Sequence, residues 1–143
     1  MEITTNSNLK LQKSFKNADV YTVEDQATAV VNATGTYITI EEFKNIFNYI
    51  GSVVIDNKIT KLVFDKTALN VFHQPSMEWY FVDWKEKMFD VGLKTHRKIL
   101  PQDEVFKQSV KIGRAQINAK YPNGKFHQMD IQYYDNLDDA INN

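Results

Sequence analysis

The sequence predicts an α/β domain built on a mixed central β-sheet with helices packed against it. Three observations carry that expectation. Residues 9–35 hold short β-rich runs separated by short polar links, the pattern of antiparallel hairpins. From residue 39 onward, helical periodicity alternates with short apolar runs, which implies parallel strands joined by right-handed crossovers. At 143 residues, with 43% hydrophobic and 13% aromatic content, the chain can bury a core of its own. A single domain spanning 1–143 is expected.

Residues 1–8 are polar and are expected to be flexible. Residues 9–15 and 20–23 read as strands joined by a turn near 17–19, and residues 27–33 as a third strand, closed by Thr34-Gly35. Thr39-Ile40-Glu41-Glu42 then forms a capping box. The Thr39 hydroxyl can accept from the Glu42 N–H, and the Glu42 carboxylate can reach back to the Thr39 N–H. Phe43, Phe47, Ile50 and Val54 follow at helical spacing, with Ile46 beside them, until Asn57-Lys58 breaks the pattern. Leu62-Val63-Phe64 lacks alternation and ends on Asp65, as an interior strand covered on both faces would.

A loop over 66–75 leads to a second helix over 76–91, with Ser76 as its N-cap and Gly92 as its left-handed stop. Residues 96–100 read as a strand ended by Pro101. Asp103 caps a third helix reaching Lys120, whose apolar stripe is Phe106, Val110, Gly113 and Ile117. Pro122-Asn123-Gly124 is a turn, residues 129–133 alternate as a last strand, and Asn136 caps a final helical turn. The expected order is β-β-β-α-β-α-β-α-β-α.

Charge and composition exclude several classes of function. Seventeen basic against 18 acidic residues leave a net charge of −1, with no basic face for nucleic acid. No cysteine is present, which removes disulfides, thiolate metal sites and a cysteine nucleophile. The opening residues show no cationic region followed by an apolar core, and no run is long enough to span a membrane, so the cytoplasm is the expected location. The five glycines stand apart, unlike a phosphate-cradling loop. His73, His96 and His127 are scattered and are expected on the surface or in loops, with neither a metal site nor a cofactor. Ser76 opens a helix after a strand but lacks the flanking glycines of a nucleophile elbow, and Asp138-Asp139 suits a helix N-terminus better than a catalytic pair. No catalytic residue is nominated.

The strand Leu62-Val63-Phe64-Asp65, the loop after it and the helix opening at Ser76 resemble the STAS-like (SpoIIAA-like) family of anti-sigma-factor antagonists. The Gly35 turn before the Thr39 helix start, the aromatic second helix ending at Gly92 and the terminal run 134–141 extend the resemblance over residues 18–143. It implies a STAS-like single domain acting by protein contact. It also implies a strand-end acid matched by Asp65 and a helix-start hydroxyl, phosphorylated by a partner kinase, matched by Ser76; Thr67 is a second hydroxyl in the same loop. The antagonists carry an Asp-Ser-Ser/Thr-Gly type run there, whereas this chain has Gln74-Pro75-Ser76-Met77-Glu78. Structural overlap with lipid-carrying CRAL-TRIO domains keeps a ligand open.

On the second helix Met77, Tyr80, Phe81, Trp84, Met88 and Val91 form the expected core stripe. Trp79, Val82 and Phe89 project elsewhere, among Asp83, Glu86 and Asp90. They either bury a second face or form an interface for a homodimer or a protein partner. The leading expectation is a non-enzymatic regulatory or protein-interaction module working through region 65–76 and the helix after it. The alternative is a carrier or sensor of a small apolar ligand or lipid.

Overall fold

In the computed structural model, which describes residues 8–143, the opening runs pair as consecutive antiparallel strands. β1 (Leu9–Ser14) lies against β2 (Ala18–Val23), and β2 against β3 (Thr28–Ala33). The expected flexibility of residues 1–8 concerns positions outside the described residues, apart from Asn8, whose carbonyl accepts from the Glu24 N–H. Three parallel strands follow: β4 (Lys61–Asp65), β5 (Thr95–Ile99) and β6 (Asp130–Tyr133). Their order across the sheet is β1-β2-β3-β4-β5-β6, the order along the chain. Leu62 to Phe64 therefore sit in an interior strand and are buried, as their lack of alternation predicts.

Monotonic order has a consequence for the layers. Right-handed crossovers that all step the same way put their helices on one face of the sheet. α1 (Ile40–Asn57), the second helix and α4 (Glu104–Lys120) share that face and its core. The short α5 (Leu137–Asn142) covers the other face, over Val30, Val63 and Ile99. No helix among the described residues is long and apolar enough to cross a membrane.

Most helix ends follow the sequence signals. The Thr39 side chain accepts from the Glu42 N–H, Asp103 accepts from Val105 and Phe106, and Asn136 accepts from Asp139. Lys58 takes the left-handed conformation that closes α1, and Gly92 follows the second helix at φ +109°. All four residues of the α4 stripe are buried.

Four expectations need correction. The Glu42 carboxylate does not complete the capping box but accepts from Asn17 Nδ2 at 2.8 Å, tying α1 to the β1–β2 turn. The second helix begins at Gln74 with His73 as its N-cap, so Ser76 lies inside the first turn and caps nothing. Pro75 suits that position, because its missing N–H would have no helical partner there. Val91 is 47% exposed, since it falls after the helix end, and Leu93 is buried instead. His96 is not a surface histidine; it is 1% exposed on β5.

Candidate functional site

β4 and β5 end beneath the loop that leads to the second helix, at the carboxyl edge of the parallel strands. Asp65 closes β4. Its Oδ1 accepts from the Thr67 backbone N–H at 3.0 Å and from the Thr67 hydroxyl. This local turn carries the chain across the sheet end while Lys66, between the two, is buried. The structure thus joins Asp65 to Thr67 and puts Ser76 elsewhere.

Ser76 is 5% exposed. Its backbone N–H donates to His73 Nδ1 at 3.3 Å, and its hydroxyl lies 2.9 Å from the same nitrogen. An Nδ1 that accepts from a backbone N–H is unprotonated, so the neutral His73 ring carries its proton on Nε2. Ser76, His73 and Lys66 line a cavity of about 50 Å³ whose other walls include Phe43, Phe64, Phe72, Tyr80 and Phe106. The 65–76 segment is therefore the roof of a small, mostly apolar cavity.

Beneath that cavity the second helix changes its winding. α2 (Gln74–Trp79) passes into a π-helical turn (Tyr80–Trp84) and then α3 (Lys85–Asp90). The Lys85 N–H reaches back five residues to the Tyr80 carbonyl. Such turns are frequent at functional sites. Here Tyr80, Phe81, Trp84 and Lys85 all end up buried.

Lysine is seldom fully buried unless it is paired. Lys85 is 1% exposed and Lys98, on β5, is 0% exposed, yet among the described residues neither nitrogen meets an acid or a carbonyl; the polar neighbour of each is the other lysine. What each has besides is a ring. Lys85 Nζ lies 3.5 Å and Lys98 Nζ 4.5 Å from the centre of Phe81, and the Arg114 guanidinium reaches the same ring at 6.0 Å. A desolvated cation–π contact contributes about 2 kcal/mol, against several kcal/mol for removing an ammonium from water. The lysines therefore lean toward their neutral form. Burial pushes both well below the usual lysine range; Lys66 and Arg114 push Lys85 further while its hydrogen bond with Lys98 works the other way, and Lys85, Lys66 and Arg114 push Lys98 further. Lys66 is lowered to about 8, by burial first and Arg114 second.

His96 completes the layer. The Leu62 carbonyl can only accept, so His96 Nδ1, 3.0 Å away, carries the proton and donates it. Nε2 then accepts from the Tyr80 hydroxyl at 2.7 Å. Burial and the nearby Lys85 and Lys98 hold His96 well below its ordinary pKa, so the ring stays neutral. Burial likewise raises Tyr80 well above its ordinary value.

The three interface candidates on the second helix do not form one patch. Trp79 packs edge-on against Phe43, under Lys44, in a groove between α1 and α3. Val82 borders a separate hollow formed by residues 120–126. Phe89 lies beneath Lys94, whose Nζ is 3.3 Å from the ring centre. Sequence reasoning missed Lys66, Lys85, Lys98, His96 and Arg114. Two signals were there. Lys85 stands four residues after Phe81 and three before Met88, inside the apolar stripe, and His96-Arg97-Lys98 puts three basic residues into a strand of a parallel sheet. Comparison of the chain with family models, with curated proteins and with solved structures returns no match.

Proposed function

We propose that this chain is a non-enzymatic, cytoplasmic STAS-like domain that holds or senses a small apolar ligand beneath its 65–76 segment. The observation that carries the reading is the cavity itself. It lies at the carboxyl end of β4, is walled mostly by apolar side chains, five of them Phe or Tyr, and is roofed by the segment that the STAS-like resemblance nominates. Its size sets the kind of ligand. An apolar cavity of about 150 Å³ takes benzene, so about 50 Å³ admits a group of a few heavy atoms and not a lipid tail. Native mass spectrometry of protein purified from cells, set against its denatured mass, tests this. A retained small adduct is expected; a bare monomer with no adduct, and no response to added small ligands, would defeat the reading.

A protein-interaction module is the second reading, and one observation favours it. Trp79 stands half-buried in the groove between α1 and α3, where an aromatic anchor of a partner contact would sit. Replacing Trp79 and Phe89 together by glutamine is then expected to preserve folding while changing oligomeric state. The phosphorylation switch fits less well. The Ser76 hydroxyl is buried against His73, so a kinase would have to open the first turn of α2 to reach it.

A further inference from the structure

We infer that the ligand of this site is a small organic carboxylate, and that Lys66, Lys85 and Lys98 form its binding site. The inference rests on the ligand reading above and adds the charge of the ligand to it. Two buried lysine nitrogens that meet no acid and no carbonyl, only each other, are the observation behind it. They come from different elements, Lys85 from the second helix and Lys98 from β5, yet both lie over the Phe81 ring. Arg114 approaches that ring from α4, and Lys66 belongs to the same electrostatic neighbourhood from the end of β4. The charged and titratable groups facing this space are those four cations with His96, Tyr80 and Tyr133; every charge acting on Lys85 and Lys98 is positive.

The cluster and the cavity meet. Lys66 and Tyr80 both line the cavity, and the Lys85 and Lys98 ammonium groups lie 4.6 and 5.7 Å from the Tyr80 ring centre. Of the three lysines Lys66 alone lines the cavity, so a ligand with its apolar end against Phe43, Phe64 and Phe106 meets Lys66 directly, with Lys85 and Lys98 in the next layer around Tyr80. The opposite approach is also free of acids. Lys107, Lys111 and Arg114 border a groove with Val110, Ala115 and Tyr133. Cations gathered without carboxylates raise the local concentration of anions. A carboxylate matches better than a phosphate because the cavity beside the cations is small and aromatic, so the ligand needs an apolar body of its own.

Binding would also move protons. A carboxylate favours the charged form of each lysine beside it, so lysines whose charged form is disfavoured by burial take up protons on binding. Affinity is then highest above the carboxylate's own pKa, about 4–5, and weakens as pH rises past about 8, where Lys66 gives up its proton.

The test uses the full chain with butanoate, 1-butanol and inorganic phosphate as probes, read by calorimetry and thermal melting. Butanoate is expected to bind with proton uptake, seen as different heats in two buffers of different ionisation enthalpy. Lys85→Met and Lys98→Met should each weaken it by about tenfold or more while melting no lower than wild type. Lys66→Met, at the cavity wall, gives a third variant should either of the others fail to fold. If 1-butanol binds as well as butanoate and the lysine variants change nothing, the cavity reading stands and the carboxylate inference fails. Binding of phosphate without butanoate overturns the carboxylate assignment. Binding of none of the three overturns both readings.

Discussion

The two faces of the sheet treat buried charge in opposite ways, and adjacent residues of β5 display the contrast. Arg97 points toward α5, is 4% exposed and is answered on nearly every side. Its guanidinium donates to the Asp130 carbonyl at 2.7 Å, to the Asp130 carboxylate at 2.8 Å and to the Asn143 carbonyl at 3.0 Å. Lys61, on the same side, donates to the Ile141 carbonyl. Both cations thus meet the carbonyl end of α5, where positive charge is favoured. Lys98 points the other way and meets rings and other cations. A buried charge that serves the fold is hydrogen-bonded, so the unanswered one calls for another explanation.

The cores differ as well. The helix side is an aromatic block in which Phe47 contacts Phe43, Phe64, Tyr80 and Trp84, while the α5 side is aliphatic, with Val30, Val63, Ile99, Leu137 and Ile141. The largest expected effect sharpens this difference. Trp84→Ala removes that packing together with a 2.6 Å hydrogen bond from Nε1 to the Phe47 carbonyl, and should cost about 3–5 kcal/mol. Leu137→Ala on the opposite face should cost about 2–3 kcal/mol. Denaturant unfolding of both variants checks the order; equal losses would mean that the aromatic block carries no special share of stability.

The next effect differs in sign between the faces. Arg97→Met leaves the Asp130 and Asn143 carbonyls without their donor and should lose about 1–3 kcal/mol. Lys98→Met removes a buried amine that meets no acid or carbonyl, at similar volume, and should gain up to about 1–2 kcal/mol. The same unfolding measurements decide it. A loss at both positions would erase the distinction between an answered and an unanswered cation.

How much of this could be read from the sequence follows the same divide. The element order, the antiparallel opening, the interior position of Leu62 to Phe64 and the stripe from Phe106 to Ile117 were legible, because periodicity and capping chemistry are local signals. The cap of the second helix was misread. A histidine two positions before a proline is a weak N-cap signal, whereas a serine just after it looks like a strong one. The cation cluster was not legible as a site, because it joins residues 66, 85, 98 and 114 only when three crossovers stack on one face. The π-helical turn mattered too. A uniform helical projection of residues 76–91 gives no place for the extra width that carries Lys85 inward.

Titration offers a smaller and more general probe of the contrast. Lys66 releases its proton near 8 when folded and near 10.5 when unfolded, so between those values the unfolded chain holds more protons. Stability therefore rises with pH through that window, and Lys85 and Lys98 add the same sign from lower pH. His96, held below 6.5, adds to the loss of stability in acid. Tyr80 acts in reverse above about 10, where the unfolded chain gives up a proton that the buried phenol keeps. The unfolding free energy should climb between about pH 8 and about 10.5, by at most ~1.4 kcal/mol per pH unit for each group, with Tyr80 opposing the climb above about 10. Lys98→Met should flatten the climb and Arg97→Met should not. A flat wild-type profile would mean that the lysines already have counter-charges.

The smallest expected effects lie at the roof of the cavity, where His73 caps α2 and Ser76 is the hydroxyl that the STAS-like resemblance nominates as a switch. His73 Nδ1 serves the Ser76 N–H and the Ser76 hydroxyl together. His73→Ala strips both contacts from the first turn of α2 and should cost about 1 kcal/mol. Ser76→Ala keeps the backbone bond, loses only the hydroxyl, and should cost about half of that. Because the two residues share one contact, the double variant should fall short of the sum of the single losses. Ser76→Asp separates the cap from the switch. A carboxylate near the start of α2 suits the helix dipole, but this position is buried, 5% exposed, beside a cavity that Lys66 also lines. If the cations behind that wall accept an anion, the aspartate should be tolerated at neutral pH and should weaken butanoate binding by occupying its place. If Ser76 is instead a surface switch, the aspartate should melt like wild type, leave butanoate binding unchanged and alter only the capture of a protein partner.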